Sequence, residues 1–170
     1  MLKTFQLRAA RAISGIGVRE VGEYLGVSRT TVSTWEQQLP LDDIRSQPAN
    51  TSTLIAFFET KNIFFNTNTS ISLNTKNILN EHATHLTRFQ LRAARTGLGL
   101  TQDQLAAYIN MPKQVIGYLE TKENNIYLHE TPKLVDDLLI KDFFEKLGLI
   151  FLGSSTVEIT SNPQLPLINA

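Results

Sequence analysis

The basic side chains with the clearest chemistry in this sequence lie in a heptapeptide that occurs twice. Phe5–Arg11 and Phe89–Arg95 both read Phe-Gln-Leu-Arg-Ala-Ala-Arg, 84 positions apart (89 − 5). Guanidinium groups bind carboxylates and phosphates through paired donors, so each copy offers two arginines for an ion pair or for a polyanion. The same spacing relates three further pairs of identical residues: Gly15 and Gly99, Tyr24 and Tyr108, and Glu36 and Glu120. This match predicts the duplication of a whole folding unit within one chain.

Charge is balanced over the whole chain but not along it. The 170 residues carry 16 basic and 16 acidic side chains. Residues 1–35 and residues 85–122 each hold five basic and two acidic side chains, whereas residues 123–170 hold three basic and seven acidic ones. The positive excess lies in corresponding parts of the two copies, which favours a surface of each copy that faces a polyanion. A chance excess is an equally good interpretation of the charge taken alone.

The sequence offers no recognisable catalytic set. It contains no cysteine, which excludes disulfides and thiolate metal sites, and no glycine-rich phosphate loop. His82 and His85 are three positions apart, and His129 is the third histidine. Serine and aspartate residues stand in no catalytic motif, so we expect no enzyme, no cofactor and no metal site.

Apolar runs are short throughout the chain. None approaches the length needed to cross a bilayer, and the first residues lack the apolar stretch of a signal peptide. We therefore expect no membrane partner and a cytoplasmic, nucleoid-associated location.

The pattern of the second copy predicts three short helices. Apolar residues spaced for one helical face begin at Phe89, and Gly97 and Gly99 end that helix. The segment Thr101-Gln-Asp-Gln104 is a capping box for a second helix. Asn110-Met-Pro112 separates it from a third helix, with proline suited to the first helical position.

The first copy follows the same plan. Val18–Leu25 is the second helix, Gly26-Val-Ser28 is the turn, and Arg29–Gln37 is the third helix. Two short helices joined by such a turn form a helix-turn-helix. We expect three aromatic side chains of the two units to lie in the core: Tyr24, Trp35 and Tyr108.

Each copy then continues into a longer helix and a β-hairpin. The longer helices are predicted over residues 53–61 and 132–147, each followed by a residue suited to a left-handed conformation, Asn62 or Gly148. Alternating runs predict the hairpins, with strands over residues 63–65, 71–73, 149–152 and 157–159. Because an isolated hairpin is marginally stable, we expect the two to pair into one four-stranded sheet about a pseudo-twofold axis.

The fold class predicted is therefore mostly α with a small β component, in two repeats. Residues 1–73 form the first repeat, 74–86 a polar linker, 87–161 the second repeat and 162–170 a disordered tail. Units of about 80 residues have modest cores, so we expect the repeats to pack together.

Both copies resemble the lambda-repressor-like (Cro and xenobiotic-response-element type) helix-turn-helix regulators. In the first copy the resemblance rests on Leu7–Arg11 followed by Leu25–Glu36, and in the second on Leu100–Ala106 with Lys113–Glu120. The helix and hairpin after each unit resemble a bacterial subgroup of these regulators. Family members typically dimerise from separate chains, so the resemblance implies two tandem lambda-repressor-like bundles, held as an intramolecular pseudo-dimer.

The resemblance implies a set of DNA-reading side chains. In such a motif the third helix enters the major groove and its outward N-terminal side chains meet the base edges. Arginine can grip guanine and glutamine can pair with adenine, each through two hydrogen bonds. The readers implied are Arg29, Thr30, Ser33 and Thr34 in the first copy, and Lys113, Gln114 and Tyr118 in the second. A solvated helix face is the alternative interpretation of the same residues.

Phosphate contact is implied at the start of the second helix. Gln102, preceded by the capping Thr101, matches the family position at which a side chain and a helix N-terminus touch the backbone of DNA. The first copy has Gly17 and Val18 there, so its phosphate contact is missing or comes from Arg19.

The family also implies two structural ion pairs between the first and third helices. These would join Arg11 to Glu36 and Arg95 to Glu120, and DNA contact by the arginines is the less favoured alternative. Arg8 and Arg92 lie three residues earlier and are better placed for solvent or phosphate.

We therefore expect a sequence-specific, double-stranded-DNA-binding transcription regulator, most simply a repressor. Unlike reader residues in the two copies predict an imperfect palindrome, with half-site centres roughly one helical turn, about 34 Å, apart. The alternative is a protein-binding regulatory module (an antirepressor, an antitoxin-like partner or a scaffold) that has lost DNA affinity. The neutral charge, Val18 and Gly117 favour that alternative somewhat, and the hairpin edges offer sites for self-association or a protein partner.

Overall fold

The helices and strands of the first half follow the order expected of one repeat. A computed structural model of the chain describes residues 1–74, 84–131 and 135–167. Its first half contains α1 (Thr4–Ser14), α2 (Val18–Leu25), α3 (Arg29–Glu36), α4 (Pro48–Glu59), β1 (Ile63–Phe64) and β2 (Ser70–Leu73). The small antiparallel sheet and the predominance of helix agree with the predicted fold class.

The second half repeats this order, with one addition. It contains α5 (Arg88–Gly97), α6 (Gln102–Tyr108), α7 (Lys113–Glu120), α8 (Asp137–Lys146), β3 (Leu149–Leu152) and β4 (Thr156–Ile159). A short 3₁₀ helix, Leu128–Glu130, lies between α7 and α8.

Local capping signals set several of these boundaries. The Ser28 hydroxyl accepts a hydrogen bond from the Thr31 amide at 3.0 Å, and Gly26 before it has a φ of +68°. Asn62 and Gly148 have φ values of 60° and 87°, the left-handed conformation that ends a helix. The turn between α2 and α3 and the ends of α4 and α8 are therefore specified by residues close to them in sequence.

Three predicted helix starts were wrong. Helix α4 begins at Pro48, five residues before the predicted start, because proline is well suited to the first helical position. Helix α8 begins at Asp137, because the Asp136 carboxylate caps it by accepting from the Leu139 amide at 3.2 Å. Pro112 is the residue before α7 and not its first helical residue.

The four strands form one antiparallel sheet in the order β1-β2-β4-β3. Its central pair joins the two halves through three registered pairs: Ser70 with Glu158, Ile71 with Val157, and Ser72 with Thr156. Ile71 and Val157 are both fully buried, so the sheet contributes apolar surface to the core as well as backbone hydrogen bonds. Each hairpin is thereby paired with the other and neither stands alone.

Helices α1 and α5 pack directly against each other and carry the centre of the core. Phe5 and Phe89 are 0% and 1% exposed, and burying a side chain of this size is worth about 1.5–3 kcal/mol. Gly97 on α5 lies so close to Phe5 that a Cβ atom there would stand 2.5 Å from two ring carbons. The absence of a side chain at residue 97 therefore sets how closely the two helices approach.

Other expectations about the core and the connecting segments had mixed outcomes. Trp35 is 4% exposed, but Tyr24 is 54% exposed because its ring lies on the outside of Phe57, at a centroid distance of 4.7 Å. Within the predicted linker, residues 75–83 lie outside the described residues, whereas Leu86 is fully buried. In the predicted tail, the Asn162 side chain accepts a hydrogen bond from the Leu41 amide at 2.9 Å, and residues 168–170 lie outside the described residues.

Among the described residues, no helix combines the length and the apolar character needed to cross a bilayer.

The close approach at Gly97 generates a stability prediction. Gly97→Ala places a methyl group against the Phe5 ring, and overpacking of this kind costs about 1–3 kcal/mol of unfolding free energy. The matched control is Gly117→Ala, because its new Cβ would contact only Gln102 Oε1, at 3.5 Å. This control substitution should gain about 1 kcal/mol of helix propensity. Urea denaturation of both variants tests this. Equal unfolding free energies for the two variants would show that the packing of α1 on α5 does not depend on the close contact between Gly97 and Phe5.

Candidate nucleic-acid interface

The outward side chains of α7 leave an accessible surface on the second helix-turn-helix. Lys113 and Gln114, at the first turn of α7, are exposed, and Tyr118 one turn later is half-buried. The inward residues Ile116 and Leu119 are fully buried and hold the helix in place. The N-terminal half of α7 thus faces away from the core.

Two of these side chains have partners on the surface. Lys113 Nζ lies 2.9 Å from an Asp103 carboxylate oxygen, with both side chains at least 60% exposed. Lys122 Nζ lies 4.1 Å from the centroid of the Tyr118 ring. An exposed ion pair is worth at most about 1 kcal/mol, so Lys113 can exchange Asp103 for another anion at little cost.

The corresponding face of α3 is also accessible. Arg29, Thr30 and Thr34 are exposed and Ser33 is half-buried. The Thr34 hydroxyl donates to the Thr30 carbonyl at 2.9 Å. Arg29 and Gln114 form no hydrogen bond or ion pair with any other described residue. Both side chains are therefore available to a ligand.

A buried ion pair locks α5 to α7 in the second unit. Arg95 Nε and Nη2 donate to the two carboxylate oxygens of Glu120 at 2.5 and 2.7 Å, and the side chains are 11% and 5% exposed. Arg95 Nη1 donates to the Leu100 carbonyl at 2.6 Å, which satisfies a third donor. This two-pronged geometry fixes the direction of α7 relative to α5.

The first unit has the same arrangement in a more open form. Arg11 Nε and Nη2 donate to the Glu36 carboxylate at 2.7 and 2.9 Å, with the side chains 26% and 13% exposed. Arg11 Nη1 donates to the Ile16 carbonyl at 3.0 Å. Each arginine of the family-implied pairs is thus occupied by a carboxylate and a carbonyl.

The start of α6 is joined to the second ion pair. The Gln102 amide donates to Glu120 Oε2 at 2.7 Å, while Thr101 caps α6 by accepting from the Gln104 amide at 3.1 Å. Val18 occupies the position of Gln102 in the first unit and has no polar group for this bond. The two halves of the chain therefore differ at the position expected to contact a phosphate.

Arg8 contradicts the expectation that it faces solvent or phosphate. Its guanidinium donates to the carbonyls of Glu36 at 2.7 Å, Gln38 at 3.0 Å and Gly97 at 3.3 Å, so it joins the end of α3 to α5. Burial lowers the pKa of Arg8 from its ordinary value, and the Glu36 charge raises it in part. The carbonyls at a helix C-terminus are a favourable site for a cation, which explains why this charge lies inside.

Arg88 binds the C-terminal end of α7 in the second half, and the sequence reasoning missed it. Its Nε donates to the Glu120 carbonyl at 2.8 Å, and it also bonds Asn124. Burial lowers the pKa of Arg88, as does the charge of Arg92, while Glu120 raises it. Arg88 aligns with Thr4 in the repeat and not with Arg8, so comparison of the two copies gave no signal for it.

Residues of both ion pairs line one cleft between the two units. The cleft has a volume of about 340 Å³, and its lining includes Arg8, Arg11, Glu36, Arg95 and Thr101. The arginines thus lie where the units join, whereas the proposed readers lie on the exposed faces of α3 and α7.

Burial of the Arg95–Glu120 pair generates a second prediction. Arg95→Met leaves the Glu120 charge buried without its partner, which costs about 3–5 kcal/mol of unfolding free energy. The double variant Arg95→Met with Glu120→Leu removes both charges and should recover most of this loss. Arg19→Ala is the control, because the Arg19–Glu23 pair is 80% and 63% exposed and its removal costs less than about 1 kcal/mol. Urea denaturation at neutral pH measures the unfolding free energy of all three variants. A loss in Arg95→Met no larger than that in Arg19→Ala would contradict a structural role for the Arg95–Glu120 pair.

Comparison with known proteins supports part of this interpretation. No curated protein and no solved structure matches the chain significantly. A family model described as helix-turn-helix matches residues 91–126, which include α6, α7 and most of α5. Residues 91–126 are thus similar to a helix-turn-helix domain of the Cro/C1 type, which suggests a DNA-binding transcription regulator.

Proposed function

We propose that this protein is a sequence-specific regulator of transcription that binds duplex DNA through α3 and α7 together. The observation that carries the proposal is the match of residues 91–126 to a helix-turn-helix family, combined with the exposed Gln114 at the start of α7, whose side chain has no partner among the described residues. An amide at that position can form two hydrogen bonds with adenine in the major groove. Repression, by occupation of an operator, is its simplest mode of action, and the proposal includes no catalytic activity.

The roles of the individual side chains follow from their placement. Lys113 and Gln114 read bases from α7 with Tyr118, and Arg29, Thr30, Ser33 and Thr34 read bases from α3. Gln102, at the N-terminus of α6, contacts a phosphate through its remaining amide donor. Arg11 and Arg95 do not touch DNA, because their guanidinium donors are used within the protein.

The two units act as a covalent pseudo-dimer arising from a duplication. The pairing of β2 with β4 and the packing of α1 on α5 support this, because both contacts join corresponding elements of the two halves. In a dimeric regulator of this class the recognition helices meet successive turns of the major groove, about 34 Å apart. A pseudo-dimer obtains the same geometry without a monomer–dimer equilibrium.

The two halves of the operator should differ, because α3 and α7 carry different readers. Arg29 and Thr30 occupy the positions that Lys113 and Gln114 occupy in the second unit. Two identical chains would favour a palindrome, whereas unlike helices in one chain favour an imperfect one.

Selection from a randomised duplex pool, followed by binding measurements, tests the proposal. We expect Lys113→Ala with Gln114→Ala to weaken binding to the selected duplex about 100-fold, since each good base contact contributes about 1–3 kcal/mol. Lys146→Ala is the charge-matched control, because Lys146 is 74% exposed at the end of α8. Fluorescence anisotropy at near-physiological salt measures each Kd. Unchanged specific binding of the double variant would exclude α7 as a reader.

Repeating the selection with variant proteins tests the division of labour between the helices. Arg29→Ala with Thr30→Ala should relax the sequence of one half-site and leave the other unchanged, and Lys113→Ala with Gln114→Ala should do the reverse. This outcome is expected because base contacts specify sequence locally, whereas phosphate contacts do not. Relaxation of both half-sites by one pair of substitutions would contradict one helix per half-site.

One observation favours the protein-binding alternative. Strand β3 lies at an edge of the sheet and exposes Ile150 and Leu152, which are 43% and 50% accessible. An apolar edge strand of this kind is a site for strand addition by a second copy or another protein. If the folded protein enriches no duplex, the protein-binding alternative at the β3 edge replaces the DNA-binding proposal.

A further inference from the structure

Three potential metal ligands from distant parts of the chain converge beside the start of α5. His85 precedes α5, His129 lies in the 3₁₀ helix, and Asp137 is the first residue of α8. One ligand atom from each lies within 4.8 Å of the other two. His82, the histidine nearest to His85 in sequence, lies outside the described residues, and the sequence alone predicts no metal site from His82, His85 and His129.

Asp137 is the anchor of this cluster. It is 2% exposed, although carboxylates are rarely buried without a partner. Asp137 Oδ2 accepts from the Leu86 amide at 2.9 Å, and His85 Nδ1 lies 3.0 and 3.1 Å from Oδ1 and Oδ2. The backbone hydrogen bond orients the carboxylate, and the imidazole is its only side-chain partner among the described residues.

His129 completes the donor set from the solvent side. It is exposed, and its ring lies 3.9 Å from the His85 ring, centroid to centroid, at an angle of 35°. Two tilted imidazole rings and one buried carboxylate thus bring three nitrogen and oxygen donors together, with His129 exposed to water.

We propose that His85, His129 and Asp137 bind one divalent transition-metal ion, with Zn²⁺ as the best fit. Two imidazoles and one carboxylate form a known type of zinc donor set, in which a fourth position remains for water. Tetrahedral ligation at about 2.0–2.1 Å requires donors roughly 3.4 Å apart. The distance of 3.0 Å between His85 Nδ1 and Asp137 Oδ1 is already close to this value. The widest separation in the cluster, at most 4.8 Å, must shorten by no more than about 1.4 Å.

Such an ion would tie together three segments that are far apart in sequence. It would join the end of the 74–86 segment to the 3₁₀ helix after α7 and to the N-terminus of α8. His129 and Asp137 are 44 and 52 positions from His85 (129 − 85 and 137 − 85). Because the unfolded chain does not present these ligands together, the ion stabilises the folded state of the second unit. The site is independent of DNA binding and of the readers on α3 and α7.

Calorimetric titration of the full chain with Zn²⁺ tests the proposal, using protein without a polyhistidine tag and previously treated with a chelator. We expect one ion per chain and a rise in Tm of about 5 °C at saturating Zn²⁺. Titration with Co²⁺ should give the intense visible absorption of a four-coordinate site. Absence of saturable binding at one ion per chain would overturn the proposal.

Two variants and a control assign the ligands. His129→Ala changes an exposed side chain, so the fold should persist while Zn²⁺ affinity falls at least about tenfold and the rise in Tm is lost. His85→Ala should act in the same way. Asp136→Asn should leave binding unchanged, because Asn retains the N-cap of α8 and Asp136 is outside the cluster. Wild-type Zn²⁺ affinity in both histidine variants would place the ion elsewhere and refute the site.

Discussion

The contact between α1 and α5 is the constraint on which the arrangement of the two units depends. The helices α1–α3 and α5–α7 have seven to eleven residues each and bury little surface by themselves. Packing α1 on α5, with Phe5 against Gly97, gives the two units one common core, and pairing of β2 with β4 extends it. Arg8 reinforces the same junction by joining the end of α3 to the Gly97 carbonyl. The orientation of α3 relative to α7 is therefore a property of the core.

Charge is used differently inside and outside this core. Arg8, Arg11 and Arg95 donate to carboxylates and backbone carbonyls, so they hold α3 and α7 in place. The exposed faces of α3 and α7 carry shorter polar groups and only two cations, Arg29 and Lys113. Zero net charge is compatible with the proposed DNA binding, because the positive groups proposed to contact DNA are few and locally placed. The units also differ, because Gln102 extends the Arg95–Glu120 pair to α6 whereas Val18 cannot.

Features determined by neighbouring residues could be predicted from the sequence, and features determined by distant ones could not. Ser28, Thr101, Asn62 and Gly148 mark helix ends through local hydrogen bonds and backbone conformation, so their positions agree with the structure. The sequence predicts Tyr24 in the core, but its ring packs on the outside of Phe57, a residue of α4. Arg8, Arg88 and the group His85, His129 and Asp137 acquire their roles only when segments 28 to 52 positions apart meet. Helical periodicity predicts which side chains of α3 and α7 face outward, whereas their assignment as DNA readers comes from the family resemblance.

The central claim is that one chain holds two recognition helices in a fixed relation that suits successive turns of DNA. The chain contains no cysteine, so Thr30→Cys with Gln114→Cys introduces the only two thiols, at corresponding exposed positions of α3 and α7. Pulsed electron paramagnetic resonance between spin labels at these sites measures their separation directly. The account predicts a single narrow distance distribution centred near one helical turn of DNA, roughly 34 Å. A broad or multiply peaked distribution, or a narrow one far from that spacing, would contradict it.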